Sequence, residues 1–261
     1  GAPYNRPPRK PFETVEQLCR GASIIFHRVD PERGRQFDDM VAAGWLDLES
    51  RKGKAPGGYQ ATYDETRHPF IFMNAVGLHA DVETLLHEGG HAFHAVACRE
   101  EPLLAYRHCG MEMAEVASMG MELLAYDHLD VFYQEEDLRR ARREQMEGIV
   151  GLFPWIATID AFQHWLYTGE PQWCQAGAPP VSPGPQCPAA GPAARDERTG
   201  AWLRLTGRYG GIEEWSGYDA ARAALWQRQL HLFGVPFYYI EYGIAQIGAL
   251  QLWQNARMDK K

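Results

Sequence analysis

Apolar residues recur at helical spacing along most of the chain, and one stretch, residues 45–80, breaks the pattern. Over residues 13–44 a helical face runs through Val15, Leu18, Ile24, Ile25 and Phe26, then Phe37, Met40 and Val41, with Asp30-Pro31 as a break between them. In the exceptional stretch, Lys54-Ala55-Pro56-Gly57-Gly58-Tyr59 is a turn signal, and the aromatic-rich runs 59–63 and 69–73 read as short strands. From Asp81 the helical signal returns. Asp81 is expected to N-cap a helix through Cys98, with Glu83 favourable to the dipole in the first turn. Further helices are expected over 111–129, 135–150, 154–167, 213–231 and 237–255. The charged face of the second of these, Glu135 to Glu144, reads as solvated. The predicted class is mainly α with a small β element.

Two stretches qualify this picture. Residues 171–198 hold seven prolines among Gly and Ala, with Val181 the only branched aliphatic side chain. They are expected to be a flexible Pro/Ala/Gly-rich insertion. Phe237 to Trp253 is apolar and aromatic, but it carries Glu241, Gln246 and Gln251 and falls short of the ~20 residues of a membrane span. A buried helix is expected there, and no membrane partner.

Composition narrows the partners. With 26 Lys+Arg against 34 Asp+Glu, the chain of 261 residues carries a net charge of −8, so no broad basic face for nucleic acid is expected. Apolar residues at 45% suffice for a sizeable core and exclude global disorder. The five cysteines cannot pair completely within one chain and show no metal spacing, which points to a reduced, cytoplasmic setting. The N-terminus is basic without an apolar run behind it, unlike a secretory signal, and it lacks an initiator Met, as a trimmed chain or fragment would.

The chemistry centres on His87-Glu88-Gly89-Gly90-His91, an HExxH motif inside a predicted helix. At 100° per residue, His91 lies 40° from His87 and one turn along, so both imidazoles reach one Zn²⁺ at about 2.0–2.1 Å. Glu88 lies at the edge of the same arc, within reach of a water on the metal. Two adjacent glycines each cost ~1 kcal/mol in a helix interior, so something must approach that backbone closely.

Catalytic zinc usually takes three protein ligands. The chain has His94 and Ala97 where an extended metzincin-type motif would need Gly and His, which excludes that class. His94 shares the His87 face but lies about 10.5 Å along the axis, so it is expected to pack or to support the site rather than ligate. The third ligand is expected on a neighbouring helix. Glu115 and Glu122, seven apart on an otherwise apolar stripe, are costly to bury unless paired or metal-bound. Glu115 is assigned as ligand and Glu122 as acceptor for a ligand-histidine N–H. Glu112, opening that helix, suits its dipole.

The runs Thr84 to His94 and Ala114 to Ser118, with Pro236-Phe237-Tyr238-Tyr239-Ile240-Glu241-Tyr242, resemble the thimet oligopeptidase / oligoendopeptidase F family of zinc peptidases. The resemblance extends over about residues 45–255, apart from the Pro-rich segment. It implies a zincin-like helical catalytic domain over residues 1–261, the C-terminal part of a longer fold, with a channel for short peptides. It implies one Zn²⁺ held by His87, His91 and Glu115, with Glu88 as general base. It places His231, Tyr239 and Tyr242 as transition-state hydrogen-bond donors, and Tyr238 as a weaker candidate. Gly57 to Tyr59 and the strand over 70–74 would border the cleft, where an edge strand could pair with substrate. Family members are longer, and the part forming the other channel wall is absent from this chain.

The function implied is zinc-dependent hydrolysis of short peptides. One rival reading is a non-catalytic zinc-bearing fragment that binds peptides or a partner, since the missing wall would expose apolar surface. Another is a thermolysin-like peptidase, which shares the third-ligand Glu but predicts no tyrosine cluster near zinc.

Overall fold

Asp30-Pro31 both ends one helix and starts the next. Helix α1 (Val15–Val29) opens on Thr14, whose hydroxyl accepts from the Gln17 amide, and α2 (Pro31–Ala42) opens on Asp30, whose carboxylate accepts from Glu32 N at 2.8 Å. The computed structural model describes residues 7–168, 192–210 and 214–259.

A three-stranded sheet follows, β1 (Leu46–Glu49), β2 (Tyr59–Tyr63) and β3 (His68–Ala75), in the order β1-β3-β2. β3 alternates between half-buried and buried positions and sends Ile71 and Met73 into the core. It pairs parallel with β1 and antiparallel with β2, Gln60 standing opposite Ile71. The strand over 70–74 is therefore central and offers no free edge. Among the described strands the edges belong to β1, which the hydrophobic pattern did not reveal, and β2.

Helix α3 (His79–Ala97) packs against this sheet. Its first residue precedes the expected one. Asp81 sits in the first turn rather than at the cap, and its carboxylate reaches back to accept from Val76 N and Leu78 N, each at 2.8 Å. Two donors at the helix entrance are thus satisfied by one side chain. Helix α4 (Met111–Ala125) lies along α3, and a 3-10 turn over Tyr126–Val131 replaces the last part of the helix expected to run to 129.

Helix α5 (Glu135–Thr168) joins two stretches expected to be separate and runs through Pro154. A helical proline deprives the carbonyl four residues back of its donor. That carbonyl belongs to Val150, at a position 72% exposed and open to solvent. Helix α6 (Pro192–Tyr209) takes in residues 192–198 of the expected insertion, and 171–191 lie outside the described residues. The short helices α7 (Asp219–Ala224) and α8 (His231–Gly234) precede α9 (Ile240–Met258). Among the described residues no helix is long and apolar enough to cross a membrane.

The chain divides into two compact units, Gly1–Met146 with Ala245–Lys261, and Glu147–Ile244. The first has a core built on Phe26, Phe37, Ile71, Leu85 and Phe93, with the Phe26 and Phe93 rings edge to face at 4.9 Å. The second is centred on Phe162, Trp202 and Trp226.

Candidate metal centre

The double glycine sets the spacing of the two helices that carry the site. A Cβ on Gly90 would stand 2.5 Å from the Ala117 carbonyl oxygen and 2.6 Å from Ser118 Cα, both backbone atoms of α4. A Cβ on Gly89 would stand 2.6 Å from the Phe26 ring. The close approach expected from the sequence is therefore helix α4 on one side and a core phenylalanine on the other.

Across that contact, His87 Nε2 lies 3.4 Å and His91 Nε2 lies 3.7 Å from Glu115 Oε2. The three candidate ligand atoms all lie within 4.8 Å of one another, and the described residues hold no other such cluster of His, Cys, Asp and Glu. A tetrahedral ion with bonds of about 2.0–2.1 Å holds its ligands about 3.3–3.4 Å apart. The two imidazole–carboxylate separations are close to that edge length and too long for good hydrogen bonds. Two imidazoles and a carboxylate are also the donor set that suits zinc. The residues present fit the ion.

Their surroundings fix their orientation. His87 Nδ1 bonds Glu122 Oε1 at 2.6 Å, which directs Nε2 toward Glu115 and His91. The Ser118 hydroxyl donates to Glu115 Oε2 at 3.1 Å. Ser118 had no assigned role in the sequence, although its spacing of three from Glu115 on one helix would have marked it.

The electrostatics call for a cation. Burial works against a charged His87, yet the nearby Glu115 carboxylate and the hydrogen-bonded Glu122 outweigh it and push its pKa up to about 10. Burial, then the charge on His87, pushes His91 down to about 4. Burial opposes ionisation of Glu115, and the nearby His87 overcomes it, so that carboxyl titrates below its ordinary value. Without an ion, the proton on His87 answers the carboxylates, and a dication would take over that task with both imidazoles neutral. Glu88 is buried, and burial raises its pKa although the charge on His87 and the Gln60 backbone N–H both lower it. A carboxylate raised in this way takes up a proton more readily than an ordinary one.

His94 stands outside the ligand set, with Cys109 Sγ 4.0 Å from its Nδ1, and with His91 it lines a neighbouring cavity.

His231, Tyr239 and Tyr242 come together in the second unit, which is described here by itself. Gln229 Nε2 donates to His231 Nδ1 at 2.7 Å, so the imidazole proton sits on Nε2, 3.3 Å from Tyr242 Oη. Tyr239 Oη accepts from Trp155 Nε1 at 3.0 Å. The Tyr238 ring stacks on the imidazole, with centroids 6.0 Å apart.

Comparison with known proteins adds the ancestry. The model of Peptidase family M3 matches residues 29–175. Oligopeptidase PepF of Bacillus subtilis is 30% identical over 147 residues, which are 53% of this chain and 22% of that protein. The chromosomal oligoendopeptidase F of Lactococcus lactis subsp. cremoris is 33% identical over 93 residues, 34% of this chain and 15% of that one. A solved structure of PZ peptidase A with an inhibitor superposes with a TM-score of 0.80 at 29% identity, covering 95% of this chain and 40% of that one. The chain thus matches under a quarter of the length of these curated relatives.

Proposed function

The chain belongs to peptidase family M3, and from that premise we propose that it hydrolyses short peptides as a zinc-dependent oligopeptidase. The observation that carries the proposal is the meeting of His87, His91 and Glu115 across α3 and α4, with the buried carboxylate of Glu88 on the same helix as the two histidines.

In this reading His87, His91 and Glu115 hold one Zn²⁺. When bound, the ion supplies Lewis acidity, lowering the pKa of a water toward ~7 and polarising the scissile carbonyl. Glu88 takes the proton of the attacking water and delivers it to the leaving amine, and burial supports the first transfer by raising its affinity for the proton. Glu122 keeps the His87 ring turned and its tautomer fixed, and Ser118 does the same for the Glu115 carboxylate. His231, Tyr239 and Tyr242 are proposed as donors to the developing oxyanion. Residues 1–261 would serve as one catalytic domain. The described cysteines Cys19, Cys98 and Cys109 are unpaired, which supports a reducing, cytoplasmic setting.

The test is hydrolysis of quenched fluorescent peptides by the zinc-loaded chain, its Glu88→Gln variant and the chelated chain. Glu88→Gln should keep one zinc by elemental analysis and lose activity by about 10²–10⁴, and chelation should abolish it. Turnover that survives chelation overturns the metal, and turnover that survives Glu88→Gln overturns the base. A parent chain that holds zinc and binds peptides without cutting them supports the non-catalytic reading instead.

A further inference from the structure

Beside His91 opens a cavity of about 200 Å³ whose walls include Arg67, Arg99 and Arg107. Its described lining contains one acidic residue, Asp64, whose carboxylate lies 3.8 Å from His108 and is half exposed. Three arginines and one aspartate therefore line the cavity.

The arginines are held mainly by neutral partners. Arg67 Nη1 donates to the Arg99 carbonyl at 2.9 Å. Arg107 donates to the carbonyls of Glu101 at 2.7 Å, Pro102 at 3.1 Å and Asp64 at 3.5 Å. Arg99 reaches Glu100 at 3.3 Å, on a glutamate that is 87% exposed. Backbone carbonyls fix the guanidiniums of Arg67 and Arg107 in place without neutralising them, an arrangement ready for a charge-assisted bond to an anion. Arg67 is placed by the turn between β2 and β3 with a left-handed backbone, φ 58°, a conformation that few non-glycine residues adopt.

The cavity also adjoins the chemistry. It shares His91 with the metal centre, and Gln60 and Thr62 of the edge strand β2 line it. The Gln60 N–H points at Glu88. An extended peptide laid along β2 would pass the proposed base and end in this basic pocket. The volume is below the ~300–1,000 Å³ of pockets for drug-sized ligands, so it suits a single residue.

Resting on the peptidase reading above, we propose that this cavity is a substrate subsite for a carboxylate, carried either by the peptide's C-terminus or by an acidic side chain. It selects peptides by charge next to the scissile bond.

Four N-terminally labelled peptides of one sequence test it, with a free or amidated C-terminus and with Glu or Gln at an internal position. Binding is read by fluorescence anisotropy on the zinc-loaded 261-residue Glu88→Gln chain, so that peptides are held without being cut. One carboxylate-bearing member of a matched pair should bind about tenfold tighter than its neutral partner. That preference should vanish on adding Arg107→Gln and return with Arg107→Lys. A preference in the terminal pair identifies the C-terminus as the source, and one in the internal pair identifies the side chain. Arg99→Gln, which loses only a solvent-exposed pair, gives the same reading if Arg107→Gln fails to fold. Equal binding of all four peptides, or a preference that survives both arginine variants, overturns the subsite. Hydrolysis by the parent chain is measured alongside. Cutting without charge preference overturns the subsite alone, and charge preference without cutting overturns the peptidase reading alone.

Discussion

His87 Nδ1 and Glu122 Oε1 stand 2.6 Å apart, and their bond ties the helix bearing both imidazoles to the helix bearing Glu115. Glu122→Gln keeps an acceptor but removes the charge, so the imidazole becomes a weaker donor to the ion. Zinc affinity should fall about 10–100-fold, measured by competition with a chromophoric chelator. Unchanged affinity would mean that something other than Glu122 orients the ring.

Gly90→Ala should lower both stability and zinc affinity. The new methyl meets Ala117 O at 2.5 Å, a backbone atom that cannot turn aside, so α3 and α4 must separate. Overpacking of this kind costs about 1–3 kcal/mol. Gly148→Ala is the contrast. That glycine is exposed on α5 with nothing near its Cβ position, so the alanine should stabilise by about 0.5–1 kcal/mol. Thermal melting and zinc titration of both variants check the pair, and Gly90→Ala with parental values would refute the close contact.

The helical repeat alone made this centre legible. HExxH at spacing four, Glu115 and Glu122 at spacing seven, and two glycines without another purpose each carry a local signature. What escaped depends on distant partners. β1 has four residues and no pattern of its own, and it exists because β3 pairs with it in parallel. Pro154 reads as a stop unless one knows that Val150 faces water. Asp81 reads as a cap, yet the chain before it turns so that Val76 and Leu78 present their amides to it. Arg67, Arg99 and Arg107 have no common spacing, and only the fold puts them around one cavity. Tyr239 and Tyr242 read as a pair three apart on one helix, but Tyr239 stands just before α9, and their hydrogen-bond partners Trp155 and His231 were not readable.

Tyr239→Phe should act on two readouts. The Trp155 indole N–H loses the acceptor it holds at 3.0 Å, which costs about 1 kcal/mol and about 2–4 °C in Tm. If the hydroxyl also stabilises the oxyanion, kcat falls about 10²–10³-fold. A lowered Tm with parental kcat per folded molecule would leave Tyr239 with a structural task only.

Asp47 gives a pH signature away from the site. Hydrogen bonds from the Arg51 guanidinium outweigh the effect of burial, the nearby Lys54 ammonium adds to them, and the carboxyl titrates well below its ordinary value. Lys54, 1% exposed, also donates to the carbonyls of Asp47 and Glu49, at 2.9 and 2.8 Å, and to that of Met73, closing one end of the β1–β3 pair. A depressed folded-state pKa means stability that is fully present above about pH 4 and lost as pH falls toward the folded value. Asp47→Asn should therefore be less stable at pH 6, and the gap to the parent should narrow from pH 5 to pH 2 in urea melts. A gap independent of pH would remove Asp47 from the titrating set.

The left-handed backbone of Arg67 sets stability and selectivity against each other at one position. An L side chain there costs roughly 1–2 kcal/mol that glycine would not. Screening for heat resistance alone would therefore favour Arg67→Gly, and each survivor would have discarded one of the three cations around the cavity. Variants chosen for robustness would drift toward indifference between charged and neutral peptides, while selection for discrimination would hold the strained arginine in place.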